Sequence, residues 1–128
     1  MSSAHPKDPD SRATIEAINA FNDAWNRHDV DAIMQLMTGD CVFESTRPAP
    51  DGERLEGQER VRAYIAGLFA RSPRARFTTE EIFAAGERGV VRWRYDWVRD
   101  GVAGHVRGVD VFRLRGGKIA EKLAYVKG

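Results

Sequence analysis

Asp110 is the side chain of this chain best placed to do chemistry, because the surrounding pattern sets its carboxylate among indole rings. From Val90 to Arg99 the run VVRWRYDWVR alternates, so Val91, Trp93, Tyr95 and Trp97 share one strand face and Arg92, Arg94 and Asp96 the other. Asp100-Gly101 follows, a dipeptide suited to a two-residue hairpin turn whose central residues both take positive φ. Such a turn pairs Arg99 with Val102, and therefore Tyr95 with Val106, Trp93 with Gly108 and Val91 with Asp110. Opposed residues of an antiparallel pair project to the same side, which carries Asp110 onto the aromatic face. An ionisable group in apolar surroundings is costly unless it is partnered or used. The use open to it is proton transfer.

The direction of that transfer depends on the last hairpin. If Gly116-Gly117 alone forms the loop, Phe112 faces Glu121, and Glu121, Leu123 and Tyr125 share the side of Asp110. A three-residue loop with a bulge instead turns Lys122, Ala124 and Val126 inward. The apolarity of Ile119, Leu123 and Tyr125 favours the first register, unless that face is covered by a second subunit. An inward Lys122 lowers the pKa of Asp110 and suits it to be a base; without that lysine, burial raises the pKa and favours a neutral acid. Tyr95, on the same wall, could donate a hydrogen bond to a carbonyl oxygen.

Three helices and then a sheet must position these groups. Ile15, Ile18, Phe21 and Trp25 recur at helical spacing and predict a helix from Ser11 to Arg27. Asn26-Arg27-His28-Asp29 makes an elbow in which Asp29 caps a second helix, Val30 to Met37, ended by Thr38-Gly39-Asp40. His28 reads as a helix-end residue near carbonyls. Cys41 to Thr46 is a predicted strand with Phe43 and Ser45 on one side. Arg47 to Glu56, with Pro48, Pro50 and Asp51-Gly52, is a loop long enough to form a rim or lid. A third helix, Gly57 to Ala70, carries Val61, Tyr64, Ile65 and Leu68 and is stopped by Pro73. Strands over Ala75–Ala85, Gly89–Arg99, Val102–Arg115 and Lys118–Val126 follow as successive hairpins. Helices covering one face of an antiparallel meander make an α+β domain.

Composition narrows the remaining classes. The 128 residues suffice for one domain, expected over residues 11–128 behind a disordered tail at residues 1–10. A net charge of +1 gives no electrostatic case for a nucleic-acid or membrane partner. Arg60, Arg62, Arg71, Arg74 and Arg76 are interspersed with glutamates and read as a solvated helix face. Cys41 is the only cysteine, a small buried hydrophobe rather than a nucleophile, which excludes an internal disulfide. His105 falls on the arginine face. No metal-binding spacing, phosphate loop or dinucleotide fingerprint occurs, so neither metal nor cofactor is expected. The amino terminus has no apolar stretch, and a cytoplasmic location is expected.

Three motifs in order extend this reading: Trp25-Asn26-Arg27-His28-Asp29-Val30-Asp31-Ala32, Asp40-Cys41-Val42-Phe43-Glu44, and the run from Val109 to Ile119, VDVFRLRGGKI. Over roughly residues 14 to 127 the chain resembles the nuclear transport factor 2-like superfamily, which includes ketosteroid isomerases, SnoaL-type polyketide cyclases and limonene epoxide hydrolases. The resemblance implies a cone-shaped fold: a curved, mostly antiparallel sheet and three N-terminal helices enclosing an apolar pocket, often in a dimer packed through the outer sheet face. It favours the register with Lys122 inward.

Residue by residue, the resemblance carries over only in part. Asp110 matches the aspartic acid that ketosteroid isomerases keep protonated to bind the oxyanion. Their general-base aspartate falls on Ser45 and their oxyanion tyrosine on Phe21, so a steroid isomerase is not implied. In the polyketide cyclase branch an aspartate on the strand of Asp110 acts as acid and base, and that role survives. An epoxide hydrolase needs an aspartate–arginine–aspartate set. Arg94 and Asp96 have the spacing but lie on the far face, and the second aspartate matches Ala124.

The expected function is therefore cofactor-independent proton transfer on an apolar carbonyl compound, by an isomerase or cyclase. Asp110, Tyr95 and Lys122 are the expected catalytic groups. Phe21, Trp25, Met34, Phe43, Ser45, Tyr64, Trp93, Trp97, Val106, Phe112 and Ala124 are expected to hold the substrate. The rival is a binding or dimerisation domain of the same fold without chemistry. Val98, Val109 and Val111 on the outer face predict a homodimer.

Overall fold

The structure, a computed structural model, describes residues 8–128. Helix α1 (Pro9–Asn26) starts earlier than expected because Asp8 caps it, accepting hydrogen bonds from the Ser11 amide and hydroxyl, each at 2.7 Å. Of the expected tail, residues 1–7 lie outside the described residues, while Asp8 to Asp10 form this cap and first turn. Helix α2 (Val30–Gln35) is capped by Asp29, which accepts from the Ala32 amide at 3.0 Å. It stops short of the predicted end. The chain instead enters strand β1 (Met37–Glu44), so Thr38-Gly39-Asp40 is extended rather than a helix stop. The cause is long-range: β1 pairs in parallel with the final strand, Met37 beside Ile119, which no local pattern announces.

Strand β2 (Arg54–Glu56) lies inside the segment expected to be loop and pairs antiparallel with the end of β1. Helix α3 (Gln58–Arg71) follows, then β3 (Arg76–Ala85), β4 (Arg88–Arg99), β5 (Val102–Arg115) and β6 (Lys118–Val126). Among the described residues the six strands form one sheet in the order β2-β1-β6-β5-β4-β3, antiparallel except at β1–β6. The helices pack on its inner face, giving the α+β architecture. No described helix is long and apolar enough to cross a membrane.

Close approach of α1 to the sheet is set at Gly89, where a Cβ would lie 2.4 Å from Ile18 Cδ1. The buried stripe of α1 begins with polar groups. Thr14 Oγ1 donates to the Gly86 carbonyl at 2.7 Å, and Ser11 Oγ accepts from its amide at 2.8 Å. At the other end the Asn26 amide makes two hydrogen bonds to the backbone of Phe77, at 2.9 and 3.0 Å. Polar ties at both ends of α1 thus fix its angle over the sheet, and Ile18, Phe21, Ile33, Val61 and Ile65 fill the core beneath the helices.

The β4–β5 hairpin has the predicted register: Tyr95 opposes Val106, Trp93 opposes Gly108 and Val91 opposes Asp110. Asp100 and Gly101 take φ of 52° and 76°, as the turn demands. The β5–β6 hairpin has the facing of the second alternative, with Lys122 and Ala124 inward, but its bulge lies in mid-strand rather than in a three-residue loop. Its loop is Gly116-Gly117 alone, pairing Arg115 with Lys118 and Leu114 with Ile119; Arg113 then pairs with Glu121, leaving Ala120 as the extra residue of a bulge. Ile119 and Ala120 are both buried, and beyond them Lys122 opposes Phe112 and Ala124 opposes Asp110. The bulge reconciles a buried Ile119 with an inward Lys122.

Candidate functional site

Inside the cone lies a cavity of about 1000 Å³. Its wall takes Trp25 from α1, Phe43 and Ser45 from β1 and the residue after it, and Tyr64 from α3. The sheet adds Trp93, Tyr95 and Trp97 from β4, Val106 and Asp110 from β5, and Lys122 and Ala124 from β6. Three expected contacts are corrected. Phe21 and Phe112 are fully buried against each other, with ring centroids 5.7 Å apart, and Met34 packs in the core under α2; none of the three lines the large cavity. Helical and strand periodicity identifies inward residues but does not separate the packed base of the cone from its open part.

Two tryptophans make the wall by lying over glycines of the opposite strand. Trp93 covers Gly108 and Trp97 covers Gly104, where a Cβ would come within 2.5 and 2.7 Å of the respective rings. With Phe77, which stands edge-on to Trp93 at 5.2 Å, they form the aromatic floor. Phe77 escapes the sequence reading because a bulge between Thr79 and Glu81 breaks the alternation of β3.

Asp110 and Lys122 meet in that floor. Lys122 Nζ lies 3.5 Å from Asp110 Oδ2, and both side chains are buried. The same ammonium stands 4.6 Å from the ring centroid of Trp25 and 4.5 Å from that of Phe43, two rings stacked on each other. One carboxylate and two ring faces thus replace its water. Asp110 Oδ1 and the indole nitrogen of Trp93 are buried with no hydrogen-bond partner among the described residues. Neither atom is open to solvent, and the indole N–H faces the carboxylate closely enough to favour its charged form.

Burial raises the Asp110 carboxyl above the ordinary carboxylate range, with the Lys122 charge and the Trp93 indole opposing the rise. An inward Lys122 therefore does not produce the lowered pKa expected of it; removal from water outweighs the ion pair. The Lys122 ammonium is pushed down for the same reason, with Asp110 opposing. Each group is moved toward the other's proton affinity, the condition for moving a proton at modest cost.

The other expected groups sort differently. Tyr95 is half-buried on the wall, against Phe77 at 4.5 Å, but four residues along β4 from Val91 and hence about 13 Å up the strand from the row of Asp110. It and Asp110 do not share one reacting atom. The Ser45 hydroxyl donates to the Arg47 carbonyl at 2.8 Å and accepts from the Glu53 amide at 3.0 Å, so it pins the loop. Arg94 and Asp96 pair with each other at 3.0 Å on the outer face, so no aspartate–arginine–aspartate set is assembled around Asp110. His28, expected near helix-end carbonyls, takes φ of 57° and stacks on Phe69 at 4.3 Å beside the mouth. Cys41 is buried and unpaired. Among the described residues no three histidine, cysteine or acidic side chains are gathered as a metal would need.

Arg47, Arg71, Arg99 and His105 also border the cavity. Arg71 belongs to the cluster expected to be a solvated helix face, and Arg99 flanks a turn; their shared position depends on where α3 ends relative to the β4–β5 tip.

Residues 18–122 match the family model described as the SnoaL-like domain. A solved NTF2-like protein of unknown function from Mesorhizobium loti is 43% identical, over 97% of this chain and 98% of its own, with a TM-score of 0.82. A protein from Jannaschia sp. CCS1, proposed as a SnoaL-like polyketide cyclase, is 23% identical over 96% and 91% of the two chains, with a TM-score of 0.81. An epoxide hydrolase of limonene-hydrolase type from M. tuberculosis is 20% identical over 93% and 86%, with a TM-score of 0.75. The last two likenesses show the fold alone. No curated protein matches the chain.

Proposed function

The chain belongs to the SnoaL-like domain family, and from that premise we propose that it is an enzyme transferring a proton on an apolar carbonyl compound without a cofactor. Asp110 takes or gives the proton. Lys122, beside it, polarises the carbonyl oxygen or steadies the enolate that forms. Tyr95 and Trp97 hold the far end of the molecule, and the aromatic floor keeps water from the reacting carbon. The observation that supports this reading is the buried Asp110–Lys122 contact at 3.5 Å between two residues of the cavity wall. The Jannaschia likeness is compatible with it, as a cyclisation of aldol type begins with such a transfer.

The test is Asp110→Asn. Turnover of a carbonyl substrate found by screening should fall by about 10²- to 10⁴-fold, with an unchanged circular dichroism spectrum. Turnover equal to that of the unaltered protein ends the assignment.

A second reading, a ligand-binding or dimerisation domain without chemistry, is favoured by two placements. Ser45 spends its hydroxyl on the loop backbone, and Phe21 is sealed in the core. These are the positions matched to a base and an oxyanion donor in ketosteroid isomerases. Under this reading Asp110→Asn alters ligand affinity but no turnover exists to lose. With either reading we propose a homodimer through the outer sheet face.

A further inference from the structure

The cavity mouth is charged in a way that the whole chain is not. The protein carries a net charge of only +1. Yet the cavity is bordered by Arg47, Arg71, Arg99 and Lys122 against one carboxylate, Asp110, which Lys122 already occupies. Arg92, Arg94 and Arg107, on the outer sheet face, are each ion-paired with Glu80, Glu81 or Asp96. Arg47, Arg71 and Arg99 make no ion pair with any described residue. They come from three separate elements, the β1–β2 loop, the end of α3 and the end of β4, yet all three are exposed and border the same cavity. His28 and His105 stand on the same rim.

Unpaired guanidinium groups around a low-dielectric cleft concentrate anions there, and each offers a fork of N–H donors matched to a carboxylate. No glycine borders the cavity to bring backbone amides onto a phosphate. Below the rim the wall is aromatic down to Asp110.

We infer that the molecule bound in this cavity is an apolar carboxylic acid, its carboxylate held at the mouth by Arg47, Arg71 and Arg99 and its carbonyl end directed at Asp110. This rests on the proposed function for the orientation of the carbonyl end. It explains why three unpaired guanidinium groups stand exposed at the cavity edge while the acid is buried beside Lys122: an anionic group is kept off the carboxylate that must take a proton.

The experiment compares pyrenebutyrate with pyrenebutanol, which share ring and chain and differ in charge, by fluorescence titration of the full chain at low salt. Pyrenebutyrate should bind about tenfold more tightly, and added salt should shrink the preference. In the Arg71→Gln/Arg99→Gln double variant the ratio should drop to about twofold or less while pyrenebutanol affinity holds. Equal affinity for the two probes, or a preference that survives in the double variant, overturns the charged mouth and leaves the proton-transfer reading standing. Tighter binding of pyrenebutyl phosphate than of pyrenebutyrate overturns the choice of a carboxylate. If no probe binds, the inference falls, and the proposed function is decided separately by the turnover of Asp110→Asn.

Discussion

Asp110 and Lys122 are a pair whose members shift each other less than their burial shifts both. Replacing Lys122 by Met removes the larger of the influences that hold the Asp110 carboxyl down, so its titration should move higher still. The stability consequence has a definite sign. A carboxyl whose pKa is raised by folding favours the fold while protonated, and that contribution is lost as pH rises from the ordinary carboxylate range through the raised value. Lys122→Met should therefore be destabilised by about 3 kcal/mol near neutral pH and recover toward mildly acidic pH, where Asp110 takes up a proton. Urea unfolding at several pH values checks this. A loss that stays constant with pH would mean that Lys122 matters for packing alone.

At the scale of the elements, the hairpins decide which groups meet. The β4–β5 register was legible because Asp100-Gly101 fixes the turn and pairing then follows by counting, which places Asp110 beneath the tryptophans. Counting left two registers open in the last hairpin, since a bulge in mid-strand has no local signature; two buried apolar residues in succession, Ile119 and Ala120, are its trace in the structure. The parallel pairing of β1 was equally hidden, as was β2. Distance along a strand was also missed: parity put Tyr95 and Asp110 on one face but not within reach of one atom. The Trp–Gly pairs give a graded test. A Cβ at Gly108 would meet the Tyr125 carbonyl at 2.3 Å as well as the Trp93 ring, whereas at Gly104 the three nearest atoms all belong to the Trp97 ring. Gly108→Ala should cost about 1–3 kcal/mol and shift the tryptophan emission; Gly104→Ala should cost less, because a side chain yields where backbone cannot. Thermal unfolding of the two variants in the reverse order would contradict this packing.

The whole molecule has two faces of different character. On the outside, Phe83, Val90, Val111 and Leu123 line up across four strands, with Phe83 50% exposed and Tyr125, on the next row, 53% exposed. An apolar row of this length between ion pairs is a surface suited to a second copy of the chain. Sedimentation should show a dimer, and Val111→Asp should give a folded monomer; a monomer in the unaltered protein at micromolar concentration contradicts the interface. On the inside, the cone encloses one buried acid at the base of an aromatic cavity, and the proposed chemistry depends on that acid being held apart from water. The direct measurement is the titration of the Asp110 carboxyl carbon by ¹³C NMR in the ligand-free protein. A midpoint well above the ordinary carboxylate range is the result expected of a carboxyl sealed beside Lys122, and a midpoint within that range, as in open contact with solvent, would contradict it.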